Sequence, residues 1–357
     1  MFQKVISELV SALVKLKVPK PKYGLVSDDN AHKEIIDPNR ELNIRVLDEP
    51  SNTCRKLLFA AIDAASATFH IGFGELSLAV ASYIYGSKLV IYPELRNISS
   101  ISIPVVGSFL KIRDVNWITD KYVKLGIKYI EDPELPEGAL AHDVRIALET
   151  YTIDRITSLM KPNVLVIDGP IEYPYKHPLD QSLWNDEIRR LNRDRINVMK
   201  KLVSDDVIPI SIVKRVWNSR SQLIGVDDVY TIIRRIINAG LTNKPVMVGP
   251  IKSWTSFNEV KYVYYVSIPL TSYLGSITLL RIEVLDSVLN RFHDLIDDVL
   301  SYIAYSSLKA GLPIPYKLHQ ADRVCKKVVS SIAKSISALL KVKGVPMFYG
   351  GVVIEWE

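Results

Sequence analysis

The order of strand and helix candidates restricts the fold of this 357-residue chain more than any other feature. Three strand candidates come first and form an antiparallel meander; they cover residues 57–63, 67–73 and 88–93. Helix candidates over 142–160 and 180–203 follow, and each precedes an apolar strand candidate, at 163–168 and 207–213. Strands that first meander and then alternate with helices predict a mixed α/β sheet flanked by helices, not a purely parallel sheet.

The C-terminal part of the chain extends this pattern with further helices and paired strands. The candidates are a helix over 229–240, strands over 260–268 and 276–285, helices over about 287–309 and 319–341, and a last strand from 347. The first of these helices closes at Gly240, a residue typical of the position just after a helix. We therefore expect one elaborated domain over residues 45–357, with helical insertions and C-terminal helices.

The N-terminal segment over residues 1–20 is predicted to be an amphipathic helix. Its apolar residues recur at helical spacing: Phe2, Val5, Ile6, Leu9, Val10, Leu13 and Val14. The sequence KVPKPKYG follows at 17–24 and breaks the helix. This apolar stripe packs either against its own domain or against a second subunit or partner.

Composition excludes several functional classes. The chain has two cysteines, Cys54 and Cys325, and neither belongs to a CxxC pair, which argues against a zinc ribbon or a disulfide framework. We find no apolar window long enough for a transmembrane helix, no signal peptide and no nucleotide-binding glycine loop. A net charge of +6 mildly favours polyanionic partners. We therefore expect a soluble, cytoplasmic protein that makes no membrane contact.

Three acidic residues stand where this fold would bring them together. Asp63 and Asp168 each end an apolar strand candidate, and ligands bind at that edge of open α/β sheets. Glu149 lies on the helix before the strand of Asp168, and the returning chain can bring it near. Three carboxylates without Cys or His describe a site for Mg²⁺ or Mn²⁺. Taken singly, each acid also has a structural explanation, as a turn residue or, for Glu149, as the partner of Arg145.

Basic residues gather on the helix over 180–203 and in the connection after the strand over 207–213. The helix carries Arg189, Arg190, Arg193, Arg195, Lys200 and Lys201, and the connection carries Lys214, Arg215, Trp217 and Arg220. Such clusters bind phosphates, and an interleaved aromatic ring stacks on an unpaired base. The helix is equally well explained as a solvated face balanced by its own acids, whereas the connection favours DNA.

Several segments resemble the NurA nuclease family. They are AAIDAASATFHIGFGELSLAVASYIYG, RIALETYTIDRI before VLVIDGPI, SIVKR, LLRIEVL, and the helix opening near GLPIPYKLHQAD. Their order matches that of the family between about residues 57 and 330. The family comprises archaeal and bacterial nucleases with an RNase H/PIWI-like core, which work with the HerA hexameric helicase-translocase in the resection of DNA double-strand-break ends.

The resemblance implies a role for each matching residue. Asp63, Glu149 and Asp168 become the catalytic acids that hold Mn²⁺ (or Mg²⁺). Lys214 matches the family's lysine and would hold the scissile phosphate. The implied DNA contacts are Lys214, Arg215, Trp217, Arg220 and Arg281. Arg281 belongs to an Arg-x-Glu pattern that a mutual ion pair with Glu283 explains as well as DNA contact does.

The sequence departs from the family pattern at two places. The family's Asp-Gly-Ser is replaced by Asp63-Ala64-Ala65-Ser66. The family's late histidine corresponds to Asp322, while His319 stands three positions earlier, and either residue has the chemistry of a ligand or proton shuttle.

The expected function is that of a metal-dependent deoxyribonuclease. As the resemblance implies, it combines 5′–3′ exonuclease and single-stranded DNA endonuclease activity, acts as a homodimer with HerA, and serves DNA repair by homologous recombination. The alternative is a catalytically weak or inactive scaffold that binds DNA or HerA and regulates it, which the departures at Ala64 and Asp322 favour. A third possibility, an RNA-directed RNase H-like enzyme, shares the acids.

Overall fold

The computed structural model describes residues 42–71, 74–92, 105–108, 139–173, 183–214, 216, 228–270, 277–342 and 347–354. The predicted N-terminal helix lies outside these residues, as do Arg215, Trp217 and Arg220.

A sheet of eleven strands forms the centre of the described fold. The strands are β1 (Ile44–Val46), β2 (Phe59–Ile71), β3 (Gly74–Tyr85), β4 (Lys88–Tyr92), β5 (Val105–Ser108), β6 (Val164–Asp168), β7 (Ile208–Val213), β8 (Val246–Trp254), β9 (Val260–Pro269), β10 (Ile277–Leu285) and β11 (Met347–Ile354). Their order is β1-β8-β9-β10-β7-β6-β2-β3-β4, with β11 paired to β2 and β5 paired to β3.

Six helices accompany the sheet in the described residues. They are α1 (Asn52–Arg55), α2 (Ala139–Thr157), α3 (Leu183–Ser204), α4 (Asp228–Asn238), α5 (Asp286–Ala310) and α6 (Tyr316–Val342). Helix α5 ends at Gly311, whose positive φ of 62° places it in the left-handed region that favours glycine.

The five strands at one end of the sheet, β7-β6-β2-β3-β4, combine a meander with two parallel crossovers. β2, β3 and β4 pair antiparallel, whereas β2 pairs parallel with β6 and β6 pairs parallel with β7. Each parallel step needs a crossover connection, and helices α2 and α3 lie in those connections. The predicted RNase H/PIWI-like mixed sheet, flanked by helices, is confirmed.

The predicted opening meander is wrong in detail. The candidates over 57–63 and 67–73 are parts of one long strand, β2, and the second strand of the meander is β3, which the sequence pattern did not identify. β2 is buried through most of its length and rich in alanine, so it lacks the polar–apolar alternation that marks a half-exposed strand. As a result, Asp63 lies inside a strand and not at its end.

Helices α2 and α6 both pack on β2 and β3. On the α6 side, Ala65 and Phe69 of β2 meet Cys325 and Val329 in a separate apolar cluster, whereas the α2 residues belong to the main core. Ala64 belongs to the main core and Ala65 to the α6 cluster, and successive side chains of a strand point to opposite faces, so the two helices lie on opposite faces of the sheet. None of the helices in the described ranges is long and apolar enough to cross a membrane.

Two leucines, one in the middle of α2 and one just past its end, test the packing. Leu148 on α2 is fully buried, whereas Leu159, just past the helix, is 75% exposed. We expect Leu148→Ala to lower the free energy of unfolding by about 2–5 kcal/mol, since it leaves a cavity, and Leu159→Ala to change it by less than about 0.5 kcal/mol. Urea unfolding measures both values, and equal losses would contradict this placement of α2.

Candidate active site

Strand register brings Asp63 and Asp168 side by side. In the parallel pair of β2 and β6, Ile62 lies opposite Ile167, so the next residues are the two aspartates. In the neighbouring pair, Asp168 lies opposite Ile212 of β7, and Lys214 follows two positions later. Thus two acids and a lysine that are distant in sequence reach the same level of the sheet.

The ammonium group of Lys214 lies between three carboxylates. Its Nζ atom is 2.9 Å from Asp63 Oδ2, 3.0 Å from Asp168 Oδ2 and 2.9 Å from Asp322 Oδ1. Lys326 adds a second cation, 2.8 Å from the same oxygen of Asp322. We call Asp63, Asp168, Lys214 and Asp322 the Lys214 cluster.

Helix α6 supplies Asp322 because its first turns are anchored to the sheet at this level. Ser82 of β3 lies opposite Asp63 in the register, and its hydroxyl donates a 2.7 Å hydrogen bond to the carbonyl oxygen of Ala321. One turn further along, the buried thiol of Cys325 donates to the carbonyl oxygen of Asp322 at 3.2 Å. The Lys214 cluster therefore lies on the face of the sheet that α6 covers.

Burial and neighbouring charges shift the pKa values of the cluster residues in different directions. Burial, reinforced by the neighbouring Asp168, raises the pKa of Asp63 well above its usual value, although Lys214 opposes this. The pKa of Asp322 is lowered: burial opposes the shift, but Lys214 and Lys326 outweigh it. The pKa of Lys214 is raised well above its usual value, because the three carboxylates outweigh its burial. Lys214 thus stays protonated, and Asp63 takes up a proton more readily than Asp322 does.

One carboxylate oxygen of Asp168 has no hydrogen-bond partner among the described residues. Its Oδ2 atom faces Lys214, whereas Oδ1 is buried and has no hydrogen-bond partner among the described residues. A buried carboxylate oxygen without a donor is costly, and such an atom commonly marks the place of an ion, water or ligand.

Glu149 belongs to a second, separate ion pair on α2. Its Oε1 atom lies 2.9 Å from Nη1 of Arg195, and both side chains are almost completely buried. Burial raises the pKa of Glu149, Arg195 opposes that shift and Asp168 adds to it. The charge interactions of Asp63 are instead with Asp168, Lys214 and Asp322. Asp168 is therefore the residue that the two groups share.

Arg195 ties this ion pair to the turn after β6. Its Nη2 atom donates to the carbonyl oxygen of Asp168 at 2.8 Å, and its Nε atom donates to that of Pro170 at 3.1 Å. The guanidinium also lies 5.2 Å from the ring centroid of Tyr173. With Glu149, these contacts hold the backbone of Asp168 in place from the face opposite the Lys214 cluster.

The sequence interpretation misplaced Arg195, which it counted among the basic residues of a solvated helix or phosphate-binding face. Arg195 is fully buried. A signal was available: it stands four positions from Leu191 and Met199, both buried on the same side of α3. Other basic residues of this helix pair with acids, as Arg190 does with Glu187 and Asp194, or Lys201 with Asp154.

The remaining site candidates lie around the cluster. His319 is on α6 one turn before Asp322, and burial lowers its pKa. It is Asp322, and not His319, that contacts Lys214. Arg281 is 8% exposed and its Nε atom lies 3.0 Å from Glu283 Oε1, so the ion pair considered from sequence is present.

Among the described residues, no group of three Asp, Glu, His or Cys side chains is arranged so that it could hold a metal ion. In the Lys214 cluster the physical reason is plain, because an ammonium group already lies between the carboxylates. The donor chemistry nevertheless fits a hard cation: the oxygens are carboxylate oxygens, and Asp168 Oδ1 is open.

Removal of Arg195 tests the second ion pair. Arg195→Met leaves Glu149 buried without its partner, so we expect a loss of about 3–5 kcal/mol in the free energy of unfolding. Without Arg195 the pKa of Glu149 rises further, so the folded variant binds a proton more tightly than the unfolded chain, and the loss grows as the pH rises above the unfolded pKa of 4.5. The control, Lys201→Met, removes the cation of an exposed pair with Asp154 on the same helix and costs about 1 kcal/mol or less. Chemical denaturation across pH measures this, and a pH-independent loss would contradict it.

Glu283 gives a pH dependence of opposite sign. Burial alone would raise the pKa of Glu283, but Lys261, Arg281 and the N–H of Ile171 lower it from 4.5 to about 2. The stabilisation that ionised Glu283 gives is therefore fully present above its unfolded pKa of 4.5 and disappears as the pH falls toward 2. The free energy of unfolding falls by roughly 3 kcal/mol over this range. We expect Glu283→Gln to flatten unfolding stability between about pH 5 and pH 2.5, whereas Glu259→Gln, at a more exposed pair with Lys200, leaves the slope unchanged. Equal slopes in all three proteins would refute this.

Comparison with known proteins gives a likeness of fold. No family profile and no curated protein matches the sequence. Among solved structures, the NurA nuclease from Sulfolobus solfataricus matches over 90% of this chain and 90% of that chain, with a TM-score of 0.51 and 13% identity. A structure of NurA with manganese matches over 95% of this chain and 98% of that chain, with a TM-score of 0.45 and 9% identity.

A third solved structure is more distant. Ciona intestinalis Endonuclease V in complex with DNA matches over 80% of this chain and 92% of that chain, with a TM-score of 0.34 and 11% identity. Of these three structures, the Sulfolobus nuclease is the one with a TM-score above 0.5. This chain therefore shares the fold of that nuclease over nine-tenths of its length.

Proposed function

We propose that this protein is a divalent-metal-dependent deoxyribonuclease, a phosphodiester hydrolase of the NurA type. The observation that carries the proposal is the Lys214 cluster, in which three carboxylates and one lysine meet beside the ends of two parallel strands. The fold shared with the Sulfolobus nuclease supports the same assignment. Carboxylates that hold a divalent ion, beside a cation that contacts phosphate, are the components that phosphodiester hydrolysis needs.

Each residue has a defined task in this proposal. Asp63 and Asp168 hold Mn²⁺ or Mg²⁺ through carboxylate oxygens, and a bound ion of this kind activates water and neutralises charge on the phosphate. Lys214, once its ammonium leaves the carboxylates, contacts a phosphate oxygen and stabilises the charge that develops there. His319, one turn from Asp322, is the candidate proton shuttle, and burial lowers its pKa.

The cellular role extends the proposal beyond the site. We propose that the protein acts as a homodimer with the HerA translocase, and resects DNA ends as a 5′–3′ exonuclease and single-stranded DNA endonuclease. DNA contacts from Lys214, Arg215, Trp217, Arg220 and Arg281 belong to this proposal. Arg281 would first have to leave its ion pair with Glu283. A cytoplasmic location follows from the same role.

A second function is favoured by the ion pairs themselves. Lys214 neutralises the Asp63 and Asp168 side, and Arg195 neutralises Glu149, so the acids are satisfied without a metal. A scaffold that binds DNA or HerA without cleavage would have acids satisfied in this way. An RNase H-like enzyme uses the same acids and differs by preferring an RNA strand or hybrid over DNA.

Isosteric substitutions test the enzyme. We expect Asp63→Asn and Asp168→Asn to reduce cleavage of linear DNA in Mn²⁺ by about two orders of magnitude or more, since each removes a negatively charged ligand. Asp63→Asn keeps the shape of the side chain, and the burial that raises the pKa of Asp63 also favours an uncharged side chain at this position. The control is Asp154→Asn, at an exposed aspartate paired with Lys201. Rates on labelled single-stranded, double-stranded and hybrid substrates give the comparison.

The same assay separates the three functions. Wild-type protein that cleaves no substrate under any divalent metal, with or without HerA, contradicts the enzyme, and retained DNA or HerA binding then identifies the scaffold. Faster cleavage of a hybrid than of DNA identifies the RNase H-like enzyme.

A further inference from the structure

We infer that the outward face of helix α6 holds the phosphate backbone of DNA beside the Lys214 cluster. The residues that carry this surface are Arg323, Lys327 and Lys334, which we call the α6 stripe. The inference rests on the proposed nuclease function and deepens it, because it names the surface on which the polymer lies after it leaves the reacting phosphate.

The first observation is the charge of α6. The helix has one acidic residue and six basic residues: Asp322 against Lys317, Arg323, Lys326, Lys327, Lys334 and Lys341. Asp322 is already paired with Lys214 and Lys326. No residue of the α6 stripe forms an ion pair with the described part of the chain. Three positive charges therefore remain on this helix without a counter-charge among the described residues.

The second observation is that the α6 stripe lies on one exposed face of the helix. Side chains four and seven residues apart share a helix face, and Arg323, Lys327 and Lys334 follow this spacing and are all exposed. Cys325 and Val329 are buried on the other side, against β2 and β3. Between residues 323 and 334 no large hydrophobic side chain is exposed. The face thus has positive charge without the apolar residues that a membrane-surface helix inserts.

The third observation is that the α6 stripe begins at the Lys214 cluster. Arg323 directly follows Asp322, whose Oδ1 atom lies 2.9 Å from Lys214 Nζ and 2.8 Å from Lys326 Nζ. From Arg323 to Lys334 the helix rises by about 17 Å, at about 1.5 Å per residue. One strand of duplex DNA carries a phosphate about every 3.4 Å along the axis, so the stripe runs beside about five phosphates.

The bases of helix α3 are less able to serve this purpose. Arg190, Lys200 and Lys201 each pair with an acid, and Arg195 is fully buried. Helix α3 also packs with α2, whereas the Lys214 cluster lies on the face of the sheet that α6 covers. A DNA strand with one phosphate at Lys214 therefore continues along α6 and not along α3.

Removal of the three charges from the full-length chain tests the inference. Arg323→Gln/Lys327→Gln/Lys334→Gln, the α6 variant, is compared with wild type by fluorescence anisotropy on a labelled DNA duplex, without divalent metal and at several salt concentrations. Each lost phosphate contact reduces the slope of log K against log salt concentration by about 0.9, so we expect a slope shallower by about 2–3 and binding at least about tenfold weaker. Lys334→Gln alone is expected to make the slope shallower by about 1.

The matched control removes the same number of charges elsewhere. Lys56, Lys88 and Lys161 are exposed and form no ion pair with the described residues. They lie at the end of the sheet where β2, β4 and β6 begin, away from Asp168. We expect Lys56→Gln/Lys88→Gln/Lys161→Gln to keep the wild-type affinity and slope. Equal losses in the control and the α6 variant, or a wild-type slope in the α6 variant, overturn the inference.

Cleavage assays separate this inference from the proposed function. We expect the α6 variant to raise KM more than it lowers kcat, because the α6 stripe contacts the polymer and not the reacting phosphate. A wild-type chain that neither binds nor cleaves DNA overturns both the inference and the nuclease. DNA binding that depends on the stripe, in a chain that cleaves nothing, supports the inference and contradicts the nuclease.

Anionic lipid is the other polyanion that such a face could bind. Wild-type binding to phosphatidylserine vesicles that is lost in the α6 variant, while the salt slope on DNA stays unchanged, assigns the stripe to a membrane surface and overturns the inference.

Discussion

The ammonium of Lys214 is the interaction on which the arrangement of the site depends. Three carboxylates within reach of one another repel, and burial of Asp63 makes its charged form still less favourable. One buried cation at 2.9–3.0 Å from all three offsets that repulsion, so the strands and α6 can bring them together. The same contacts link β2, β6 and β7 to a helix that begins more than a hundred positions further along the chain.

A second internal cation organises the opposite face of the sheet. Arg195 connects α3 to α2 through Glu149 and to the end of β6 through the carbonyl oxygens of Asp168 and Pro170. Asp168 is thus held by its backbone from one side and by its carboxylate from the other. The two cations differ in their access to solvent: the side chain of Lys214 is 16% exposed, whereas that of Arg195 is not exposed at all.

Sequence alone predicts those parts of the fold whose signals are local. The apolar run of β6 and its abrupt end at Asp168, and the alternation of α2, β6, α3 and β7, follow from patterns of neighbouring residues. β3 escaped identification because a strand covered on both faces has no alternation to detect. The register that sets Asp63 beside Asp168 is likewise a tertiary property.

The composition of the site is less predictable than the fold. Lys214 contacts residues 151 and 108 positions away, Asp63 and Asp322, and no local rule fixes such pairs. The resemblance to a nuclease family found Asp63, Asp168 and Lys214, and it kept both Asp322 and His319 as candidates. It did not find the partner of Glu149, because a buried arginine and a surface arginine look alike until the apolar neighbours on the helix are counted.

The length of β2 gives the site an asymmetric shape. β6 ends at Asp168, but β2 continues eight residues beyond Asp63, to Ile71, a distance of about 26 Å. β11 pairs with this extension between Ala67 and Ile71, so the strand beside β2 changes from β6 to β11 just beyond Asp63. Asp63 lies at this change of partner, with a side chain only 3% exposed. Asp168 and Lys214 lie on the open side and are 20% and 16% exposed. A ligand that approaches from solvent therefore meets Asp168 and Lys214 before it meets Asp63.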